Sequence, residues 1–223
     1  MKQKDFMLRL MKYKRVLMQL RTMGLGRIFS NNLGDALGVS ASLVRKDLAS
    51  IDMQGNRRGG YNIDTMLELI NEKLGSNDAQ QTILIGCGNL GKALLNHKEF
   101  NQEGISIAAG FDIAPSDNNV GGIPILPMES LESYIQDNNV KAALLTVPAA
   151  SAAELKDRLL SAGIQGILNF ASVELKSQDN CIIQNVNIGL EIENLLFRVN
   201  ALKKNKQAGI NTLHCPDEDT CEG

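Results

Sequence analysis

The chain has 223 residues, 43% of them hydrophobic and 22% charged, a balance that belongs to ordinary globular proteins and excludes bulk disorder. No apolar run approaches the roughly 20 residues that cross a bilayer, and no basic, apolar leader opens the sequence, so the expectation is a cytoplasmic protein with no membrane partner. The formal charge of −2 conceals a bipolar molecule: residues 1–75 hold 13 Lys and Arg against 7 Asp and Glu, while the other 148 hold 10 against 18, the footprint of nucleic-acid contact confined to one domain.

Two cores, of roughly 75 and 130 residues, are expected at this length. The first segment carries Phe6, Leu10, Tyr13, Leu17 and Leu20 at spacings of 4, 3, 4 and 3, the stripe of an amphipathic helix that Gly24 and Gly26 then stop. Ser30 is the expected cap of a short second helix with Leu33, Ala36 and Leu37 inward, ended by a left-handed turn at Gly38. Ser40 caps a third helix, in which Val44 and Leu48 face inward while Ser42, Arg45 and Lys46 project outward. The pattern is helix, tight turn, helix. Gln54 to Tyr61 then supplies three glycines and an asparagine for a hairpin tip that carries Arg57 and Arg58, which reads as a wing. A fourth helix, with Leu67, Ile70 and Leu74 inward, ends at Gly75, and the polar stretch Ser76 to Gln81 is the expected linker.

Beyond the linker, strands alternate with helices, which argues for a parallel sheet. Strands are expected at Thr82 to Ile85, Ile105 to Phe111, Val140 to Val147, Gly166 to Asn169 and Cys181 to Val186, and helices at Asn89 to Asn96 and Met128 to Gln136. Ser151 and Glu154 form an expected capping box for the next helix, which ends at Gly163. A last helix, about Ile188 to Lys204, places Ile192, Leu195, Leu196 and Val199 on one apolar stripe.

Gly86, Gly88 and Gly91 satisfy G-x-G-x-x-G directly after a buried strand and at the opening of a helix, with Asn89 and Leu90 between the last two. In that context Gly86 makes the turn, Gly88 admits a pyrophosphate and Gly91 lets helix and strand pack closely. Asp112, 21 residues past Gly91, ends the second strand, where a carboxylate accepts ribose hydroxyls and repels a 2′-phosphate, so NAD(H) is the expected cofactor. The alternative is a glycine-rich turn without ligand. Arg45 and Lys46 fit a recognition helix that presents basic groups to base edges, with Arg45 the expected guanine reader, although a solvated helix face would look the same. Cys87, Cys181, Cys215 and Cys221 lack metal-ligand spacing, so free thiols are expected and no metal site. No catalytic group is assigned: His97 and His214 are the sole histidines, and no substrate domain remains once the wing is placed.

Four stretches resemble one family, the Rex redox-sensing repressors: Val44-Arg45-Lys46-Asp47-Leu48, Gly88 to Asn96, Leu145-Thr146-Val147-Pro148, and Gly166 to Ala171. The resemblance spans about residues 8 to 200 and implies a homodimer that binds palindromic double-stranded operator DNA, represses transcription, is released by NADH, and exchanges its last helix between subunits. It adds Thr146, Val147, Pro148, Asn169 and Phe170 to the expected cofactor contacts. The sequence departs from the family at two places, where a tyrosine after the first Rossmann helix and an aspartate opening the last helix are replaced by His97 and Asn187. The aspartate's arginine partner on the first helix is kept as Arg15, so a weakened redox discrimination is one alternative; an NAD-dependent oxidoreductase is another. Ile51-Asp52-Met53 also replaces an aromatic, glycine-bearing stretch of the family wing. The expected architecture is α/β: a winged helix-turn-helix domain (1–75), a Rossmann-like parallel-sheet domain (76–186), a dimerisation helix (187–204) and a disordered tail (205–223).

Overall fold

The computed structural model describes residues 2–56, 59–75, 81–102, 104–115 and 117–207. The wing arginines Arg57 and Arg58, and the tail from 208 onward, lie outside the described residues.

The first helix, α1 (Lys2–Thr22), fully encloses the middle of its stripe, Leu10, Tyr13 and Leu17, while Phe6 and Leu20 at its ends are half-buried. It is followed by the short strand β1 (Arg27–Ile28), α2 (Ser30–Leu37) and α3 (Ala41–Ala49). Gly38 takes a left-handed turn at φ 68° between the two helices. Close approach at this turn also depends on Gly34, where a Cβ would stand 2.6 Å from the Val39 carbonyl oxygen. Ser40 caps α3 as expected, its side chain accepting from the Leu43 amide at 3.2 Å. Ser30 does not cap α2. It is the first helical residue, Phe29 holds the cap position without a side-chain bond, and the Ser30 hydroxyl instead accepts from Arg45 Nη1 at 3.1 Å.

Strand β2 (Tyr61–Asn62) pairs antiparallel with β1, and Asn62 caps α4 (Ile63–Leu74) through the Thr65 amide. At the wing, Asn56 bridges to Gly60 and Arg27 Nη1 donates to the Gly59 carbonyl at 2.8 Å, bracing the loop from β1. Side chains from all four helices and from β1 close one core, including Leu33, Val44, Leu48, Ile63, Met66 and Ile70.

A charged group is built into this core. Asp47 of α3 is buried, and its carboxylate accepts from Arg9 Nε at 2.7 Å, Arg9 Nη2 at 2.9 Å and the Tyr13 hydroxyl at 2.8 Å. The bidentate pairing with Arg9 is the strong geometry for such a contact. Burial first, and the neighbouring carboxylate second, push the Tyr13 phenol well above its ordinary range, so it remains a donor.

The second half is a seven-stranded sheet. Its elements run β3 (Gln81–Ile85), α5 (Asn89–Leu95), α6 (Glu99–Gln102), β4 (Ser106–Asp112), β5 (Asn119–Val120), β6 (Ile123–Pro127), a 3₁₀ turn (Met128–Ser130) and α7 (Leu131–Asp137). There follow β7 (Ala142–Leu145), α8 (Ala149–Ala162), β8 (Gly166–Asn169), β9 (Ile182–Asn185) and α9 (Ile188–Gln207). The order is β5-β6-β4-β3-β7-β8-β9, parallel throughout except where β5 meets β6. Chain progress outward from β3 on one side, then back to β7 on the other, is doubly wound topology with its switch point between β3 and β7.

The hairpin β5–β6 carries too weak a strand signal in sequence to be expected, because β5 has two residues and β6 contains Pro124 and Pro127; β6 lies between β4 and the short edge strand β5. Two further expectations are corrected. Ser151 and Glu154 are not a capping box: α8 opens earlier, at Ala149 after Pro148, and Ser151 lies inside the helix. Helix α9 runs to Gln207, past the expected end at Lys204.

Removing the buried carboxylate leaves Arg9 and Tyr13 without their acceptor. Asp47→Ala is expected to destabilise the first core by about 2–4 kcal/mol, and Tyr13→Phe by about 1 kcal/mol. Urea unfolding of each variant against the parent chain checks this; equal midpoints would show that the carboxylate is dispensable.

Candidate functional site

The carboxyl edge of β3 meets β7 at the switch point, and the first glycine of the fingerprint sits there. Gly86 has φ +94°, and a Cβ on it would stand 2.7 Å from both the Thr146 carbonyl oxygen and Val147 Cγ1, so this turn excludes any other residue. Thr146 fastens the two strand ends, its hydroxyl lying 3.0 Å from the Ile85 carbonyl oxygen and 2.7 Å from that of Gly86. Gly91 packs against the same turn, where a Cβ would collide with the Gly86 carbonyl. Gly88 differs: a Cβ there would meet nothing within 4 Å, so the fold itself does not require glycine.

Gly88 caps α5 without a side-chain bond, and the turn opens on a cavity of about 260 Å³ lined by Cys87, Gly88, Asn89, Lys92, Asp112 and Asp117 among others. Asp112 ends β4 as expected. Its Oδ2 accepts from the Cys87 amide at 2.7 Å and its Oδ1 from the Ala114 amide at 2.9 Å, which orients the carboxylate at the cavity wall. Each oxygen retains a lone pair for a sugar hydroxyl. Burial, and then the charge of Asp112, push the Cys87 thiol up to about 11, so it lines the cavity as a neutral group. Uncapped amides, a bare glycine and an oriented carboxylate form the constellation that holds the pyrophosphate and ribose of a dinucleotide.

Leu90 is exposed in the first turn of α5, Thr146 and Val147 pack against the Gly86 turn, and Pro148 caps α8. Asn169 is a structural node: it is buried, its amide nitrogen donates to the Val173 carbonyl and to Asn185 Oδ1, and its oxygen accepts from the Ala171 amide. Its side chain is thus committed to the loop after β8 and to Asn185 at the end of β9. Phe170 packs on the small core beside Leu168.

His97 is separated from the fingerprint by the full length of α5, roughly 10 Å of helix. It lines a second cavity of about 210 Å³ with Phe100, Gly121 and Ile123, and its ring meets Phe100 edge-on at 4.6 Å. Its Nε2 stands 3.7 Å from Glu99 Oε2, and Arg15 Nη2 approaches the same oxygen at 3.8 Å. Asn187 is not Arg15's partner within the chain; its Oδ1 accepts from the Leu190 amide and caps α9. A neutral amide suits a helix cap, and among the described residues Glu99 places a carboxylate beside Arg15, a pairing with no local signal in sequence.

On α3 the sequence reading and the geometry agree. Val44, Asp47 and Leu48 are buried, whereas Ser42, Arg45 and Lys46 are exposed on the outer face. Arg45 is steadied by Ser30, and the Ser42 and Ser40 hydroxyls are 2.9 Å apart at the helix start. Arg27, which braces the wing, had no sequence signal.

Comparison with known proteins places both halves. Residues 77–173 match the family described as "CoA binding domain", and residues 5–49 match "Putative DNA-binding protein N-terminus". The redox-sensing transcriptional repressor Rex of Desulforamulus reducens is 33% identical over 198 residues, 88% of this chain and 94% of that protein. The Rex proteins of Rhodopirellula baltica (38% identical; 86% of this chain, 81% of that one) and Bacillus subtilis (35%; 85% and 88%) are similar too. Among solved structures, the Rex-family repressor RSP in complex with β-NAD⁺ and operator DNA superposes with a TM-score of 0.79 at 31% identity, covering 94% of this chain and 97% of that one. RSP in complex with β-NADH gives 0.76 at 30% identity, covering 92% and 97%.

The glycines make a contrast that separates binding from folding. Gly88→Ala is expected to keep the parent's thermal transition while weakening NADH binding by tenfold or more, on the order of 1.4 kcal/mol or above. Gly91→Ala is expected to lower the transition itself, because its methyl collides with backbone. Calorimetric titration and thermal unfolding of the two variants check this; a Gly88→Ala protein that binds like the parent would remove the pyrophosphate from this turn.

Proposed function

The chain belongs to the Rex family of redox-sensing transcriptional repressors, and on that premise we propose that it binds operator DNA through α2 and α3 and leaves it as NADH rises against NAD⁺. The observation that carries this reading is the presence on one chain of a dinucleotide cavity walled by Asp112 and a basic helix fixed from behind by Asp47. Nucleotide and DNA then act on one another through the placement of the two halves, and a ligand shifts that placement only by its differential affinity for the two arrangements.

The domain limits follow the two cores, 1–75 for DNA and 76–186 for the nucleotide, with α9 as the dimerisation helix. Ile192, Leu195, Leu196 and Phe197 on α9 are each more than half exposed in the single chain, an apolar surface that a second subunit would cover. Catalysis is not part of the reading. A dehydrogenase needs an acid or base beside the nicotinamide, and His97 stands beside Glu99 and Phe100 at the far end of α5. Among the described residues no helix is long and apolar enough to span a membrane, and a repressor acts in the cytoplasm, where its DNA lies.

With Asn187 neutral, the charged link between α1 and the nucleotide domain passes through Glu99, flanked by Arg15 and His97. Both carboxylate contacts are exposed and long, so this link adjusts the switch and does not supply its bulk.

The reading is tested by titrating operator-bound protein with NADH and, separately, with NAD⁺: release at lower concentrations of NADH supports it, and indifference to both nucleotides overturns it. Arg45→Ala is expected to cost on the order of 1–3 kcal/mol on operator but little on random DNA. Equal losses on both would reduce Arg45 to a phosphate contact. Glu99→Gln is expected to shift the NADH concentration for half-release by no more than about fivefold, read in the same titration.

A further inference from the structure

The dinucleotide cavity contains a charge pair that the fingerprint does not account for. Lys92 is the fourth residue of α5, one turn beyond Gly88, and its Nζ donates to Asp117 Oδ2 at 2.6 Å. Both side chains line the same cavity as Asp112, and each keeps part of its surface in water, 37% for Lys92 and 51% for Asp117. The wall thus holds two carboxylates and one ammonium. Their spacing in sequence, 25 residues between Lys92 and Asp117, leaves no local pattern to reveal the pairing.

A lysine at this place has a chemical consequence. The acidic residue that ends the second strand excludes a 2′-phosphate, whereas a cation nearby accommodates one. Asp112 and Lys92 alone would therefore pull in opposite directions on the choice between NADH and NADPH. The 2′-phosphate is a dianion or close to it near neutral pH, and an uncommitted ammonium beside the ribose would attract it at a distance where screening is incomplete.

We propose that Asp117 is a specificity-determining residue: by pairing with Lys92 it draws a cation of the cavity wall away from a 2′-phosphate and adds a second negative charge against it. The assignment rests on the reading of this cavity as the NAD(H) site. It makes Lys92 and Asp117 a matched unit in which removal of either partner moves selectivity in opposite directions. Asp117→Asn keeps the side chain's shape, releases Lys92 from this carboxylate, and changes the local charge by one.

The experiment is a paired calorimetric titration of the full chain with NADH and with NADPH, at low and at physiological salt. Asp117→Asn is expected to bind NADPH more tightly than the parent does and to raise the NADPH-to-NADH affinity ratio about tenfold, with the gain shrinking as salt rises. Lys92→Met is expected to lower that ratio below the parent's, and the double variant to lose the gain of Asp117→Asn. A merely structural Asp117 would weaken both nucleotides alike and leave the ratio fixed, which overturns the proposal, as does a Lys92→Met ratio equal to or above the parent's. Should Asp117→Asn fail to fold, Asp117→Ser makes the same test, with the same rise in the ratio expected and an unmoved ratio overturning the proposal. A parent chain that binds NADH well while the ratio stays unmoved overturns this inference alone; one that binds neither nucleotide overturns the NAD(H) reading with it.

Discussion

A carboxylate sealed inside an apolar core fixes where the basic outer face of α3 points. Asp47 sits on the inner side of α3, two residues from Arg45, and its three hydrogen bonds to Arg9 and Tyr13 clamp that helix to α1. An unpaired buried charge is costly, so the arrangement holds only while both α1 donors are in place. Shape complementarity alone would leave α3 free to slide along Val44 and Leu48; the bidentate contact sets one register. Ser40, Ser42, Arg45 and Lys46 acquire a defined direction because the residue beneath them has one.

The same logic, a close contact that permits one solution, operates at the nucleotide end. Gly86 exists because β3 and β7 approach until their turns touch, and Thr146 seals that junction with its hydroxyl. Gly88 has no such packing reason. A glycine that the fold does not need, at the cap of a helix and beside an oriented carboxylate, is explained by what must approach it from outside. This distinction between glycines forced by the protein and a glycine kept open for a ligand is visible only in three dimensions; in sequence all three are equal letters of one motif.

Much of the architecture was legible beforehand because it rests on local rules. The stripe from Phe6 to Leu20, the helix stops at Gly38, Gly75 and Gly163, and the cap at Ser40 each need only a few neighbouring residues. What stayed hidden is long-range. Asp47 meets partners 34 and 38 residues away, Arg27 reaches Gly59 across 32, and Lys92 finds Asp117 across 25. Resemblance counts Asn169 among the cofactor contacts, yet the loop after β8 and Asn185 at the end of β9 use its whole amide. His97 was drawn toward the cofactor by resemblance, while the helix between it and Gly88 carries it to the opposite end of α5.

Helix α1 joins these two ends, and its geometry limits how they communicate. It has 21 residues, about 31 Å of rigid rod. Arg9 and Tyr13 are four residues apart and share the face toward α3, whereas Arg15 lies two residues further, roughly 200° around the axis, and meets Glu99 of the nucleotide domain. A displacement at α6 therefore reaches α3 by moving the rod as a body, with Asp47 as the fixed coupling. The energy for such a displacement is another matter. A hundredfold change in operator affinity requires about 2.7 kcal/mol of differential binding, and an exposed pair such as Arg15 and Glu99 is worth between nothing and about 1 kcal/mol. Most of the difference must come from surfaces that bury far more area, and the exposed apolar row Ile192, Leu195, Leu196 and Phe197 on α9 is a surface of that kind. Burial at about 25 cal/mol per Å² needs only some 100 Å² of change there to exceed the ion pair severalfold. On this scale an asparagine in place of an aspartate at 187 is a modest electrostatic change at the start of that helix, small beside what burial of an apolar surface can supply.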